Sequence, residues 1–156
     1  MKTDLAKVVI ERLKVRNLTL CTAESCTGGL IGKMLTDVSG SSAVYLGGII
    51  SYTNEIKRKL LGVKEKTLAD HTAVSEQTAG EMALGARMHL GADIAVSVTG
   101  LAGPDGDGTG RPIGLVYIAI SADDDTIVQE LHLSGDREAV REQAAEAVLN
   151  LILQQI

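Results

Sequence analysis

Leu18-Thr19-Leu20-Cys21-Thr22-Ala23-Glu24-Ser25-Cys26-Thr27-Gly28-Gly29 reads as a short apolar strand, Leu18 to Ala23, that enters a Ser- and Gly-rich turn. The pattern from Leu30 to Leu35 that follows is helical. Glycines let the backbone turn sharply and let a ligand approach the main chain, while the unpaired N–H groups at a helix start attract an anion or oxyanion. Ser25 stands where a nucleophilic hydroxyl is useful. The mechanics are those of a nucleophile elbow, although Glu24-Ser25-Cys26 does not match the G-x-S-x-G pattern. The plain alternative is a turn that only caps a helix.

Working outward, Leu5, Val8, Val9 and Leu13 recur at helical spacing, so 3–14 is expected as an amphipathic first helix. After the turn, a helix from Gly28 to about Asp37 leads through loop residues to 43–52. That stretch is apolar nearly throughout and carries Gly47-Gly48, the composition of a buried strand with close backbone contacts. Thr53-Asn54 opens a short helix over 55–61, which Gly62 stops; 63–73 is a connecting segment. Ser75 is an N-cap for a helix over 76–90, whose Ala79, Ala83 and Ala86 permit close packing, and Gly91 ends it. A strand over 93–99 then runs into Gly100 to Pro112, thirteen residues with five glycines and both prolines of the chain. Strands over 114–121 and 126–133, joined by a turn, are expected to pair antiparallel. A last helix opens near Asp136 and runs to about Gln154. This order predicts an α/β fold, a three-layer α/β/α sandwich with a mixed, mostly parallel sheet of about five strands, and one domain over 1–156.

Composition narrows the function. A 156-residue chain can bury roughly two-thirds of its unfolded surface, so it needs no disulfide or metal to fold. It has no Trp or Phe and a formal charge of −5, which argues against a nucleic-acid binder, since neither stacking platforms nor a basic stripe is present. Cys21 and Cys26 read as reduced thiols, and no Cys/His cluster has metal-ligand spacing, so neither metal nor cofactor is expected. No apolar run reaches the roughly 18 residues of a membrane span, and 1–16 lacks the apolar core of a signal peptide. A cytoplasmic protein is expected. The Ala-rich and apolar helix faces are compatible with a homodimer without requiring one.

In open sheets of this class ligands bind beyond the carboxyl ends of parallel strands, where 25–29, 52–57 and 99–106 all fall. A serine needs a base, and His71, His89 and His132 lie beside none of these segments. A lysine with a lowered pKa can serve instead, which makes Lys57 the candidate, its value brought down by desolvation or by positive charge such as Arg58 or Arg141. Tyr52 offers a phenol for proton relay or substrate orientation, and Thr99 and Gly100 offer a hydroxyl and main-chain donors. Cys26 is the rival nucleophile. For each the structural alternative is ordinary: a solvated lysine, a half-buried tyrosine, loop punctuation, a small buried thiol.

Together the motifs resemble the C-terminal domain of CinA-type proteins, found also as stand-alone nicotinamide-nucleotide amidases. The matching stretches are Thr22 to Gly29; Gly48 with Ser51-Tyr52-Thr53-Asn54-Glu55 and Lys57; Ala73-Val74-Ser75; Thr99 to Gly106; Pro112-Ile113-Gly114; and Gly135-Asp136-Arg137 with Arg141. The resemblance implies hydrolysis of the carboxamide of nicotinamide mononucleotide to nicotinate mononucleotide and ammonia, in pyridine-nucleotide salvage. It makes Ser25 the nucleophile and Lys57 its base, with Tyr52, Thr99 and Arg141 as positioning or supporting groups. Cys26, Thr27, Gly28 and Gly29 would hold the oxyanion, Arg141 or a glycine-rich main-chain nest would take the phosphate, and Gly100 and Gly103 are further substrate-binding candidates. The chain does not contain the N-terminal domain of two-domain CinA proteins, so that domain's nucleotide-pyrophosphatase activity is expected to be absent. The alternatives are a non-catalytic nucleotide-binding or regulatory module, and a Cys26-dependent hydrolase.

Overall fold

The computed structural model describes residues 2–156, with side chains from Leu5 onward. In chain order the elements are α1 (Lys2–Arg16), β1 (Leu20–Glu24), α2 (Leu30–Thr36), a 3-10 turn (Ser41–Ala43), β2 (Tyr45–Ile50), α3 (Asn54–Leu61), α4 (Glu65–His71), α5 (Glu76–Leu90), β3 (Ile94–Gly100), β4 (Leu115–Ala122), β5 (Asp125–His132) and α6 (Arg137–Gln155). The sheet runs β2-β1-β3-β4-β5. β1 is parallel to both β2 and β3, and the β3–β4 and β4–β5 pairs are antiparallel. Four strands therefore point one way and only β4 runs against them, which is the mixed, mostly parallel sheet expected from the sequence.

The crossovers explain the layers. From β1 the chain moves to β2 through α2 on one face, then returns past β1 to β3 through α3, α4 and α5 on the other. Right-handed crossovers in opposite directions along a sheet must use opposite faces. Side-chain size follows the same division. One face packs Leu20, Val96, Val98, Val116, Ile118 and Ile120 against α1, α2 and α6. The other presents Cys21, Ala23, Ala95 and Ala119 to Met82, Ala86, Ala79 and Ala83 of α5, and these small residues let the helix lie close. Among the described residues no helix is long and apolar enough to cross a membrane.

Three sequence expectations change. The segment 43–52 is not a buried strand: β2 is an edge strand of 45–50, with Leu46 50% and Ile50 54% exposed. Of its two glycines only Gly48 is closely approached, and by side chains: a Cβ there would collide with the hydroxyls of Thr22 and Tyr45, while one on Gly47 would meet nothing. The connecting segment 63–73 contains α4, whose amino end has no cap of its own. Glu81 of α5 supplies one, accepting from the Lys64 N–H at 2.9 Å and the Thr67 hydroxyl at 2.6 Å. On α1 the inward stripe is Ala6, Val9, Ile10 and Leu13, with Val8 exposed.

Candidate active site

β1 is buried along its whole length and delivers the turn 25–29 to the centre of the sheet. The Ser25 N–H donates to Val98 O of β3 at 3.0 Å, which ties the turn to the neighbouring strand. Gly28 and Gly29 take φ values of 59° and 108°, a left-handed region that side chains with a Cβ rarely adopt, so the sequence needs glycine at both. Glu24, buried just before Ser25, turns its carboxylate onto the start of α2. Oε1 accepts from the Thr27 hydroxyl (2.6 Å) and from the N–H groups of Gly29 (3.1 Å) and Ile31 (3.0 Å), and Oε2 accepts from Gly32 N–H (3.0 Å). The helix start thus already carries an anion, where its partial positive charge favours one. This alters the expected oxyanion site. Gly29 N–H is taken by Glu24 and Gly28 N–H by Ser25 O, while among the described residues Cys26 and Thr27 N–H donate to no carbonyl, carboxylate or hydroxyl oxygen.

Lys57 enters from the first turns of α3, a helix capped by Thr53, whose hydroxyl accepts from Ile56 N–H. Its side chain is only 1% exposed and ends at Ser25, with Nζ 2.9 Å from Oγ. Nζ also reaches Ser51 O at 2.7 Å and Tyr52 O at 3.5 Å. Burial lowers the Lys57 pKa to about 8, and the Cys26 thiol beside it acts weakly the other way. Desolvation therefore does what the sequence reading divided between burial and neighbouring arginines. A neutral amine has two N–H groups and one lone pair; the two carbonyls take the hydrogens and the lone pair faces Ser25.

Ser25, Cys26 and Lys57 line a cleft of about 250 Å³. Its walls come from Tyr52 after β2, from Thr99 to Ala102 at the end of β3, and from Ala73 and Val74 before α5. Asp107 and Arg137 complete its lining. Ser25, Lys57, Tyr52, Cys26, Thr99 and Gly100, which the sequence singled out from separate segments, meet here. The remaining candidates do not line the cleft. Thr27 is fully buried against Glu24. Gly28 and Gly29 shape the turn. Arg141 donates from Nε to Cys26 O and from Nη2 to Thr27 O, both at 3.0 Å, so it braces the turn from behind and does not line the cleft. Thr99 is also committed, its hydroxyl donating to Ala73 O at 2.8 Å. Tyr52 is 59% exposed and its hydroxyl accepts from Arg137 Nη2 at 3.1 Å. Gly103 contributes its carbonyl, which accepts from Arg137 Nη1 at 2.7 Å.

Sequence reasoning gave no role to Glu24, Asp107 or Arg137. For Glu24 there was a usable signal, an acidic residue closing an apolar strand immediately before a helix start. Arg137 stands 112 positions after Ser25 in the sequence, and only the fold of α6 across the sheet brings it to the cleft. Burial pushes the Cys26 thiol up to about 11, so little thiolate is present near neutrality. No histidine lines the cleft.

A family model described as the CinA C-terminal domain matches residues 2–156. The nicotinamide-nucleotide amidohydrolase PncC of Escherichia coli (strain K12) is 47% identical over 153 residues, covering 97% of this chain and 93% of that one. A CinA-like protein of Kosmotoga olearia is 46% identical over 149 residues, 96% of this chain, and the chain spans 36% of that longer relative. The fold is shared with the crystal structure of a competence-damaged protein (CinA) superfamily protein from Escherichia coli, at a TM-score of 0.97 and 34% identity over 100% of this chain and 91% of that one.

Proposed function

The chain belongs to the CinA C-terminal domain family, and from that premise we propose that it is an amidohydrolase that converts nicotinamide mononucleotide to nicotinate mononucleotide and ammonia, with Ser25 as nucleophile and Lys57 as its base. The observation that carries the reading is the buried contact of 2.9 Å between Lys57 Nζ and Ser25 Oγ. A purely structural role does not account for it, because burying a lysine without a carboxylate partner costs several kcal/mol in order of magnitude. Strongly perturbed ionisable groups in a cleft mark working sites.

The steps follow from the proton positions. Neutral Lys57 takes the hydroxyl proton as Ser25 Oγ bonds to the carboxamide carbon, and the carbonyl oxygen gains negative charge. The N–H of Cys26, next to the nucleophile, and that of Thr27 are the donors at the turn that, among the described residues, have no oxygen acceptor to give up. The Lys57 ammonium returns its proton to the amide nitrogen, the C–N bond breaks and ammonia leaves. Lys57 then takes a proton from water as its oxygen attacks the acyl ester. That proton goes back to Ser25 Oγ as the C–O bond breaks, giving the carboxylic acid, which loses its proton to solvent as the carboxylate. The cationic pyridinium of the substrate makes its carboxamide carbon more electrophilic.

The test is ammonia release from nicotinamide mononucleotide in the presence of a chelator. Wild-type protein should turn over, and Cys26→Ala should retain turnover. Ser25→Ala should lose it by about a hundredfold or more, the range expected for removal of a group that enters the chemistry. Calorimetric binding of the mononucleotide with no ammonia from freshly purified protein would leave a binding module instead, and loss of turnover in Cys26→Ala alone would move the nucleophile to the thiol.

A further inference from the structure

We propose that Arg137 is the phosphate-binding residue of this site, an inference that rests on the mononucleotide reading above. Among the described residues the cleft is lined by two cationic side chains, Lys57 and Arg137. Lys57 is buried against Ser25 and must be neutral to act as a base. Arg137 stands at the opening, where Nη1 donates to Gly103 O at 2.7 Å and Nη2 to Tyr52 Oη at 3.1 Å. Those two contacts fix the plane of the guanidinium and use two of its five N–H groups, leaving three for a ligand. Both acceptors are neutral oxygens, and among the described residues no carboxylate is bonded to it. The acidic residue of the cleft, Asp107, spends Oδ1 on the Thr109 N–H and hydroxyl within its own loop.

The other arginines near the site are occupied elsewhere. Arg141 braces the Cys26 and Thr27 carbonyls outside the cleft, and Arg111 holds Val74 O from the glycine-rich loop. A fixed, planar, charged fork at the rim, with the nucleophile at the floor, matches a ligand that presents an amide at one end and a phosphate monoester at the other. Guanidinium binds phosphate oxygens in pairs, which a lysine cannot do. Arg137 accordingly distinguishes the mononucleotide from its dephosphorylated riboside, and Tyr52 is the group that holds it in place.

The experiment compares kcat/KM for nicotinamide mononucleotide and nicotinamide riboside in wild type, Arg137→Gln and Arg137→Lys. Arg137→Gln should lower the value for the mononucleotide by about tenfold to a hundredfold, through KM, the loss expected for a charge-assisted hydrogen-bonded pair. The mononucleotide-to-riboside ratio of kcat/KM should fall by that factor, thermal unfolding should show the variant folded, and Arg137→Lys should recover part of the loss. An equal loss on both substrates would overturn the proposal and make Arg137 a brace for Tyr52 and Gly103. If wild type hydrolyses neither substrate, the amidase reading fails. The phosphate site is then read by calorimetric titration with ribose 5-phosphate: binding abolished by Arg137→Gln supports it, and no binding to wild type, or binding unchanged by the substitution, rejects it.

Discussion

Lys57 works as a base only while its amine is neutral, and its pKa of about 8 sets how often that is so. At pH 7 about a tenth of the molecules carry the free amine, and at pH 9 about nine tenths. The value of kcat/KM for the mononucleotide should therefore rise close to tenfold between these pH values and then level off. Lys57→Arg should stay inactive across the range, because a guanidinium does not give up its proton. A flat profile in wild type, or near-normal turnover in Lys57→Arg, would take the base role from Lys57. The candidates Ser25 and Lys57 were legible in the sequence because each sits just after an apolar strand. The directions of Thr99, Arg141 and Arg137 were not, since a hydroxyl or guanidinium takes whichever acceptor the fold brings within 3 Å, and those acceptors lie 26 to 115 positions away.

The helices place these groups through contacts that leave little slack. A Cβ on Gly85 of α5 would collide with the Leu61 carbonyl in the last turn of α3, the helix that carries Lys57. Gly85→Ala should push α3 outward, cost about 1–3 kcal/mol of stability as overpacking does, and lower kcat because Nζ leaves Ser25. Gly80→Ala, on the same helix, is the control. Its Cβ would meet only the Thr126 and Val128 methyls at 3.7 Å, an ordinary contact, and alanine favours helix by about 0.8–1.0 kcal/mol. Thermal unfolding of the pair should separate them in opposite directions, and equal melting temperatures would contradict the packing argument. The caps explain which elements could be read in advance. Ser75 and Asp136 each cap their own helix, accepting from Thr78 N–H and Ala139 N–H, so α5 and α6 begin where the sequence says. α4 borrows Glu81 from 17 positions away, and nothing local announces it.

The molecule as a whole is destabilised by the site it supports. A fall in the Lys57 pKa from 10.5 to about 8 means that the folded protein at pH 7 holds an ammonium at a cost of about 3 kcal/mol relative to the unfolded chain. The unfolded state binds the proton more tightly between pH 8 and 10.5, so wild-type stability recovers this amount as pH rises through that window. Lys57→Met, which fills similar space without charge, should be inactive yet more stable at pH 7 by up to about 3 kcal/mol. Denaturant unfolding should show that margin shrinking towards pH 10.5. The buried thiols Cys21 and Cys26, pushed up to about 12 and about 11, act in the opposite sense above their ordinary range, and both remain in the variant, where Cys26 loses the lowering effect of Lys57. A less stable Lys57→Met at pH 7 would refute the account. The alternation of helices and strands, the mostly parallel sheet and the strand-end segments that carry Ser25, Tyr52 and Lys57 were all legible in the residues alone. Hydrophobic period, glycines and self-capping residues are local signals that act wherever the chain later packs. Long-range packing is what makes β2 an edge, sets Glu24 at the start of α2, and turns Arg137 and not Arg141 to the cleft. Edge position and hydrogen-bond partner depend on which distant segment arrives alongside, and no local pattern encodes that.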